Sequence, residues 1–595
     1  MLNLFNNPTG GFAGQTALEA FRELITYYRI VVFIPFIAMT IWCITTRKQT
    51  RKLRYRISYK RLLIQIMSIM VMLVVTTMTF MKQLSMDIPI QSAVSSYAVQ
   101  NYGVYPYYLK EFLGIETNID TATALAIESD QDVLALLEDY NKNVSSYVNA
   151  IDGLTYSNRL TMDKANIDYI DPSIANGHQL QGILEGKNLV LVHLESFNAF
   201  LLQNEYTNQQ MTFLNDLLSE SYVFSNFYAN VGMGVSSDAE LAVLTGLNPQ
   251  GDQTLYWDYN DTPYELPSIP YYLGMDQYYR EAIHGDHETF YNRHTVYPEM
   301  YGFDVSYTLE NFITDGYDVN QGYVYDHTHQ LTHISPWVSD YYLGDFTATY
   351  GNSLETPFML FPIYMMGHTP FDFGPDGEDT SIYPNYASHI QDITLRYINY
   401  ANYYSETMKR FFLTENGSDQ TIDDTVYVFY SDHGSGLKNG DLDILHGREL
   451  SDMEERQILQ RTLAFIYVPS NDQYVDFGDY QLRKGMLVGH QDLVRSEIDL
   501  YRTMVELFNM QVGQDAYFGV NGLSTEPTFA LDNRILDVAT DQYFYNMRNA
   551  KDIYPIDSLV DEDLYAYIMT YKMLSDYLLS TETKLKEINQ TLNQN

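Results

Sequence analysis

The chain has 595 residues and 46% of them are apolar, which provides a sizeable core and excludes global disorder. Its formal net charge of −41 argues against nucleic-acid binding, which needs a basic surface. The single cysteine, Cys43, excludes a scaffold held by intramolecular disulfides. Residues 1–82 are net basic, and almost all of the acidic excess follows them. This asymmetry indicates two environments for one chain.

Two uncharged apolar segments near the N terminus predict a pair of transmembrane helices. They run over Ile30–Thr46 and Leu62–Phe80, close to the roughly 20 residues that span a bilayer. The connecting segment Arg47–Arg61 is rich in Lys and Arg, so the positive-inside rule predicts that it is cytoplasmic. Everything after Met81 is then predicted to lie outside the cell. The alternative is a pair of buried core helices.

The remaining chain divides by its texture. We predict a membrane anchor over 1–82, an extracellular helical linker over 83–185 with a helix inside Ala122–Asn149, a catalytic domain over 186–545 and a helical tail over 546–595. Short apolar runs alternate with helical patterns in the third region, which indicates α/β organisation. The predicted strands are Asn188–Leu194, Pro357–Met365, Thr425–Tyr430 and Leu463–Val468, and the predicted helices run from Ser236 or Ser237 to Leu247 and over Gln491–Met510.

Polar side chains directly follow three of these strands. Glu195 follows the first, Asp432 and His433 follow the third, and His368 lies just beyond the second. In open α/β sheets the functional site lies at the carboxyl ends of the strands, so these residues are expected at one edge. Carboxylates with imidazoles suit a divalent cation such as Mn²⁺ or Zn²⁺. Each signal taken alone is more typical of a surface pair or a helix cap than of a metal ligand.

Two further segments carry candidate phosphate chemistry. Gly232–Leu241 reads GMGVSSDAEL, in which Ser236 opens a predicted helix. Ordinary capping explains Ser and Asp there, but a helix N terminus also favours anions, and a metal on the hydroxyl would activate it as a nucleophile. His284–Arg293 combines histidine, an aromatic residue and an arginine suited to bidentate phosphate recognition, although a structural polar loop would have the same composition.

Together and in this order, these motifs resemble the lipoteichoic acid synthase (phosphoglycerol transferase) family of the alkaline phosphatase/sulfatase superfamily. The matching stretches are EGKNLVLVHLESFNAFLL, NFYANVGMGVSSDAEL, HGDHETFYNR, MMGHTPF, YSDHGSG and SEIDLYRTMVELF, within residues 180–510. The combination is specific, although no single motif is. The resemblance implies a sulfatase-like α/β domain behind the two-helix transmembrane hairpin, in a multi-pass membrane protein of Gram-positive cell wall biogenesis.

The resemblance also implies a site and a reaction. One Mn²⁺, with Zn²⁺ or Mg²⁺ as alternatives, would be held by Glu195, Ser236, Asp432 and His433, and Ser236 would be the nucleophile. The substrate-binding residues would be His284, Asp286, Tyr291, Arg293 and His368. Family members transfer glycerol phosphate from phosphatidylglycerol, through a covalent enzyme intermediate, to a growing polymer or a glycolipid, and they release diacylglycerol.

The chain departs from the family pattern at three points. Ser236 stands where threonine is usual, Val235 stands where lysine is common, and two predicted spans replace the five of the best-known members. Two alternatives therefore stay open: a phosphoethanolamine-type transferase or phosphodiesterase of the same superfamily, and a weakly active scaffold that binds glycopolymers. A formylglycine sulfatase is disfavoured because the residues after Ser236 lack the required Pro and Arg.

Overall fold

The computed structural model describes residues 129–137, 159–162 and 181–594, the last range with gaps at 252–253, 259–264, 318–322, 326–330, 335–336, 356, 370, 372–391, 438–440, 525, 548, 557, 561 and 582. All described residues belong to one compact unit, Asp87–Asn595. The predicted transmembrane hairpin lies outside the described residues. Within the described ranges, none of the helices combines the length and the apolar character needed to span a bilayer.

A nine-stranded sheet organises the fold, with the order β1-β13-β3-β10-β9-β2-β8-β4-β5. Smaller sheets pair β6 with β7, β11 with β12, and β14 through β17. The strands are β1 Arg159–Met162, β2 Asn188–Leu194, β3 Tyr222–Tyr228, β4 Tyr279–His284, β5 Val305–Tyr307, β6 Tyr323–Tyr325, β7 Leu331–Ile334, β8 Phe358–Ile363, β9 Thr425–Ser431, β10 Arg461–Tyr467, β11 Pro469–Asp476, β12 Gln481–Gly485, β13 Leu487–Gln491, β14 Ala530–Asp532, β15 Asp537–Ala539, β16 Phe544–Asn546 and β17 Asn549–Tyr554.

The described helices are α1 130–137, α2 Phe200–Gln203, α3 Glu205–Gln210, α4 Thr212–Ser219, α5 Ser236–Thr245, α6 Leu255–Asp258, α7 Ile269–Met275, α8 Leu309–Thr314, α9 Asp340–Ser353, α10 Asp392–Lys409, α11 Asp441–His446, α12 Asp452–Gln460, α13 Glu497–Leu507, α14 Glu562–Leu578 and α15 Lys584–Leu592. An irregular helical segment, Phe290–Tyr301, joins β4 to β5.

Strand direction sets where the site lies. β5, β4, β8, β2 and β9 run parallel to one another, and β3 runs parallel to β13. The antiparallel strand β10 joins the two groups between β9 and β3, so both groups point the same way. The central strands β2, β8 and β9 are buried along almost their whole length, as expected for parallel strands covered on both faces. Their carboxyl ends form one edge.

The four predicted strands are confirmed, and β2 has the predicted bounds. The predicted helix over Gln491–Met510 is wrong at its start, because Gln491 ends β13 and α13 begins only at Glu497, after the N-cap Ser496, which forms a capping box with Asp499. Within the segment predicted as a linker, β1 pairs antiparallel with β13 at the sheet edge. The tail helices also contact other regions: the Tyr577 hydroxyl donates to Asp130 of α1 at 2.7 Å.

Candidate active site

The parallel pairing of β2 with β9 brings two carboxylates together. Leu194 pairs with Ser431, so the next residues, Glu195 and Asp432, leave their strands side by side. Both side chains are buried. Two buried carboxylates repel each other and lose hydration. A cation bound at this edge of the sheet would offset both costs.

Asp432 is held in one orientation by its first carboxylate oxygen. Its Oδ1 accepts hydrogen bonds from the amides of Ser196 (2.9 Å) and His433 (2.8 Å). Its Oδ2 is buried and has no hydrogen-bond partner among the described residues, although it lies 3.1 Å from His193 Nε2 and 3.2 Å from His433 Nε2. Buried polar atoms normally have a hydrogen-bond partner, so an oriented carboxylate oxygen without a donor is a candidate metal ligand.

The neighbouring His433 presents its second ring nitrogen to the same point. Its Nδ1 lies 2.8 Å from the carbonyl oxygen of Gly434, and a carbonyl only accepts, so Nδ1 carries a proton. Nε2 lies 3.3 Å from Ser236 Oγ and 3.5 Å from Glu195 Oε1. A backbone carbonyl that fixes the tautomer in this way is typical of metal-binding histidines.

The separations between these donor atoms fit one shared cation. Donors about 2.1 Å from a metal lie about 3.0 Å apart at an octahedral edge and about 3.4 Å apart at a tetrahedral edge. His433 Nε2 lies 3.2 Å from Asp432 Oδ2, 3.3 Å from Ser236 Oγ and 3.5 Å from Glu195 Oε1. The four residues predicted to hold the metal therefore lie together, and their donor set fits a first-row divalent cation.

The pKa values of the two carboxyl groups diverge. Burial, reinforced by the charge of Asp432, raises the pKa of Glu195 to about 7. Burial also acts to raise the pKa of Asp432, but His433 and His193 outweigh it and hold that pKa well below its usual range. Asp432 is therefore the firmly ionised member of the pair, and a bound cation would favour ionisation of Glu195 as well.

His193 belongs to this cluster and was not predicted from the sequence. It lies on β2 two residues before Glu195, on the same face, and is fully buried. Its Nδ1 lies 2.9 Å from the Tyr430 hydroxyl, and candidate donor atoms of His193, Glu195 and Asp432 all lie within 4.8 Å of one another. Its signal was visible, because it is the only polar residue in the otherwise apolar run Leu189–Leu194.

Two tyrosines of α10 hold the turn that carries Glu195. Ser196 has a φ of 58°, an uncommon value for a residue other than glycine. The Tyr404 hydroxyl donates to the Glu195 carbonyl at 2.7 Å, and the Tyr397 hydroxyl donates to the Ser196 carbonyl at 2.7 Å. The amide of Asn198 donates back to Tyr397 at 2.8 Å. Hydrogen bonds from two residues of α10, neither of which is a candidate metal ligand, thus hold the strained turn in place.

We expect Tyr404→Phe to weaken the site without dismantling it. The change leaves the buried Glu195 carbonyl without its donor, which costs about 1–3 kcal/mol of unfolding free energy, and it loosens a metal ligand, which typically weakens metal affinity by about 10- to 100-fold. Urea unfolding and calorimetric Mn²⁺ titration measure the two effects. In Tyr545→Phe, whose buried hydroxyl has no partner within the described ranges, both quantities should stay near wild type. Equal losses in the two variants would contradict the role assigned to Tyr404.

The loop before Ser236 approaches other backbone closely. A Cβ on Gly232 would lie 1.8 Å from the Gln250 carbonyl oxygen, and one on Gly234 would lie 2.3 Å from Ser237 Oγ. Asp238 Oδ2 accepts from the Gly234 amide at 2.7 Å, and burial raises the pKa of Asp238 to about 7. The glycines therefore allow a tight turn that a side chain on α5 closes.

Ser236 is the first residue of α5 and is half-buried. The helix has no side-chain capping hydrogen bond, so Ser236 does not act as a cap, and its Oγ lies against His433 instead. The preceding residue, Val235, has φ 53° and ψ −100°, which is strained for a β-branched side chain. This backbone conformation places the hydroxyl beside His433 in the candidate metal site.

Arg293 is fully buried and fixed by α5. Its Nη2 donates to Glu240 Oε1 at 2.5 Å and its Nε donates to the Tyr297 hydroxyl at 2.8 Å. Nη1 has no hydrogen-bond partner in the described part of the chain. Glu240 lies one helical turn after Ser236, on the same face of the helix. Glu240, the partner that orients this guanidinium, was not predicted from the sequence.

The remaining predicted substrate residues gather around this guanidinium and the strand ends. His284 ends β4 and pairs in register with Ile363, which pairs with His193. Burial and the charge of Arg293 hold the pKa of His284 well below its usual range. Tyr291, with φ 54°, has its ring 5.3 Å from the Arg293 guanidinium carbon. Asp286 is buried and accepts from the His287 amide at 2.7 Å.

His368 follows β8 and faces the same region. Its Nδ1 lies 2.6 Å from the Thr369 carbonyl oxygen, so that nitrogen carries a proton, and burial lowers the pKa of the ring. The ring lies edge-on to buried Trp337 at 5.6 Å, a residue that sequence reasoning did not identify. A neutral imidazole backed by an indole is suited to hydrogen bonding with an uncharged hydroxyl or a phosphate oxygen.

Comparison with known proteins identifies relatives of this fold. The Sulfatase family model matches residues 187–510, more than half of the chain. The lipoteichoic acid synthase-like YvgJ of Bacillus subtilis is 25% identical over 409 residues, covering 68% of this chain and 60% of that protein. Lipoteichoic acid synthase 1 of the same organism is 25% identical over 511 residues, covering 81% and 68%. Against these two relatives the chain spans about 60–68% of their length.

Among solved structures, the lipoteichoic acid synthase LtaP from Listeria monocytogenes superposes with a TM-score of 0.53 at 22% identity, covering 74% of this chain and 98% of that one. The sulfatase-like α/β fold predicted from the sequence is thereby confirmed. The chain belongs to the sulfatase family of the alkaline phosphatase superfamily. Within that family, its relatives associate it with the lipoteichoic acid synthases.

Proposed function

We propose that the chain is a metal-dependent phosphoglycerol transferase. It would move glycerol phosphate from phosphatidylglycerol to a cell-surface polymer or glycolipid through a covalent intermediate on Ser236. The observation that carries this proposal is the meeting of Ser236 Oγ with His433 Nε2 at 3.3 Å, at a helix N terminus beside the buried carboxylates of Glu195 and Asp432. The names of the relatives support the same reaction class.

Glu195, Ser236, Asp432 and His433 would hold the cation, with His193 behind Asp432. A bound Mn²⁺, or alternatively Zn²⁺ or Mg²⁺, supplies Lewis-acid chemistry that lowers the pKa of the Ser236 hydroxyl and offsets charge on the phosphoryl oxygens. The chain's own contribution is to fix these ligands: backbone amides hold Asp432, and the Gly434 carbonyl holds His433. Such rigid ligands lower the cost of reorganisation during the reaction.

In the first half of the reaction, Ser236 Oγ attacks phosphorus and loses its proton. The new Oγ–P bond replaces the bond from phosphorus to the diacylglycerol oxygen, which leaves with a proton. In the second half, an acceptor hydroxyl attacks the same phosphorus and releases its proton, and Ser236 regains one. The positive end of the α5 dipole favours the anionic group throughout.

Arg293, His284 and His368 would recognise the transferred group. Arg293 Nη1 has no partner in the described part of the chain and is directed by Glu240, so it can donate to a phosphate oxygen with little loss of side-chain entropy. The two imidazoles are kept neutral by burial, which suits glycerol hydroxyls. Asp286 and Tyr291 flank them. Val235 removes a lysine that relatives use, so Arg293 would carry more of the phosphate recognition.

We also propose that the predicted hairpin, Ile30–Thr46 and Leu62–Phe80, anchors the catalytic domain on the outer face of the cell membrane. The proposed donor, phosphatidylglycerol, resides in the bilayer, and an anchor would keep the catalytic domain close to it. The basic loop between the predicted spans fits a cytoplasmic position, and the acidic remainder fits the exterior.

The proposal is tested with the full-length protein in Mn²⁺ and vesicles that contain fluorescent phosphatidylglycerol. We expect release of fluorescent diacylglycerol that requires the metal. Release of diacylglycerol from phosphatidylethanolamine, and not from phosphatidylglycerol, would indicate a phosphoethanolamine-type transferase. Production of free glycerol phosphate at the same rate with and without an acceptor would indicate a hydrolase. Metal binding without turnover of either lipid would favour the scaffold.

A further inference from the structure

A second cavity opens at the same edge of the sheet, on the far side of β10 from Asp432. It has a volume of about 350 Å³, and we call it the Tyr228 pocket. The ends of β3 and β13, the start of β10 and the turn between β15 and β16 form its walls. The lining residues used below are Asn226, Tyr228, Gln457, Arg461, Asp492 and Asp541.

The Tyr228 pocket lies close to the proposed nucleophile. Asp432 directly follows β9, Tyr228 ends β3, and only β10 separates these two strands. Because neighbouring strands in a sheet lie about 4.8 Å apart, the ends of β9 and β3 are about 10 Å apart. Asn198 lies between them: its Nδ2 donates to the carbonyl of the pocket residue Arg461 at 3.3 Å, and its Oδ1 accepts from the amide of Ser435, which follows the Asp432–Gly434 segment, at 2.8 Å.

Asp541 gives the pocket an unsatisfied acceptor. Its Oδ1 accepts from the Val494 amide at 2.6 Å, whereas Oδ2 is buried and has no hydrogen-bond partner within the described residues. Burial raises the pKa of Asp541 to about 6, so the group is still mostly ionised at pH 7. A buried carboxylate oxygen without a donor is costly, and a ligand hydroxyl would satisfy it.

The charges in the pocket disfavour a phosphate ligand. Asp541 and Asp492 contribute two carboxylates against the single cation of Arg461. The Arg461 guanidinium donates to the neutral side-chain oxygens of Asn226 (3.1 Å) and Gln203 (2.6 Å). Amides, a guanidinium and a carboxylate beside tyrosines offer both donors and acceptors along a partly apolar wall. This combination matches a neutral polyhydroxyl compound.

We propose that the Tyr228 pocket binds a neutral sugar ring of the acceptor, which positions an acceptor hydroxyl to take the phosphoryl group from Ser236. The inference rests on the proposed transferase function and adds a separate subsite to it. Asp541 accepts a hydrogen bond from a sugar hydroxyl, and Gln457 and Arg461 donate to ring or hydroxyl oxygens. The volume of the pocket suits a ligand of this size.

The test uses the full-length, Mn²⁺-loaded protein without donor lipid, and it measures binding of a neutral glucose disaccharide by calorimetry. We expect Asp541→Asn to weaken binding about tenfold, because a charge-assisted hydrogen bond is lost while the amide oxygen still accepts from Val494. Gln457→Ala, on the half-buried side of α12, should weaken it about threefold. Asp345→Asn is the matched control, since Asp345 is also half-buried but lies on α9, outside the pocket.

Several outcomes would overturn the assignment. The first is that the wild type shows no saturable binding of the disaccharide. The second is that the wild type and Asp541→Asn bind the disaccharide with equal affinity. The third is that glycerol phosphate displaces the sugar and binds more tightly to Asp541→Asn than to the wild type. Release of diacylglycerol from phosphatidylglycerol is measured in a parallel assay with the donor lipid added, and it should be unchanged in the control variant Asp345→Asn. Sugar binding without lipid cleavage would contradict the transferase function, whereas lipid cleavage without sugar binding would contradict only the pocket assignment.

Discussion

Ser236→Ala is expected to abolish diacylglycerol release, with a loss of at least about 1,000-fold. The reason is that Oγ is the only atom of that side chain that can form the bond to phosphorus. The fold should be unaffected, because Ser236 is half-buried and makes no capping hydrogen bond in α5. Single-turnover assays with fluorescent phosphatidylglycerol measure the loss.

Ser236→Thr is the matched control, because it keeps the hydroxyl at the same position and adds one methyl group. We expect it to retain at least about a tenth of the wild-type rate, since the nucleophile is unchanged. Mn²⁺ affinity should fall by less than about tenfold in Ser236→Ala, because a neutral hydroxyl contributes less than the carboxylates. Full activity in Ser236→Ala would exclude Ser236 as the nucleophile.

Asp432→Asn should weaken Mn²⁺ binding by at least about 100-fold, and activity should fall with it at fixed metal concentration. The amide can still accept from the Ser196 and His433 backbones at the Oδ1 position, so the turn should survive. What disappears is the charge at Oδ2, the oxygen that lies 3.1 Å from His193 and 3.2 Å from His433. Raising the Mn²⁺ concentration should restore part of the activity.

Asp340→Asn provides the control for this change. Asp340 is also buried, and it accepts from the amides of Met365 (3.0 Å) and Met366 (3.2 Å). Burial raises its pKa to about 8, so the group is largely protonated at pH 7, and an asparagine keeps the same charge while it retains one of the two backbone hydrogen bonds. Calorimetric Mn²⁺ titration should give an affinity within about threefold of wild type. An equal loss in the two variants would indicate a general effect of buried aspartates and contradict the assignment of Asp432.

Much of the site was predictable because strand ends are visible in the sequence. The apolar runs that became β2 and β9 are followed directly by Glu195 and by Asp432 with His433, and parallel pairing brings them together. Ser236 was predictable for a similar reason, since two glycines and a helical pattern define its turn. These signals are local, and each needs only a few neighbouring residues to be recognised.

The missed contributions depend on contacts between distant parts of the chain. Tyr404 holds the carbonyl of Glu195 across 209 positions, and no sequence periodicity encodes that contact. Glu240 lies in α5 among apolar residues that predict only a core face of the helix. Its contact with Arg293, which it orients, cannot be recognised from that pattern. His193 was not predicted because it lies inside β2, where an apolar run predicts only a core position. The start of α13 was predicted too early because Asp492 and Leu493, which lie between β13 and the helix, extend the polar and apolar pattern of the helix.

Mass spectrometry of trypsin-digested protein, quenched during turnover of phosphatidylglycerol in Mn²⁺, tests the central claim most directly. The account predicts a glycerol-phosphoryl adduct on Ser236 that accumulates without acceptor, disappears when acceptor is added, and is absent in Ser236→Ala. Steady release of diacylglycerol with Ser236 unmodified, or an adduct on a different residue, would contradict it.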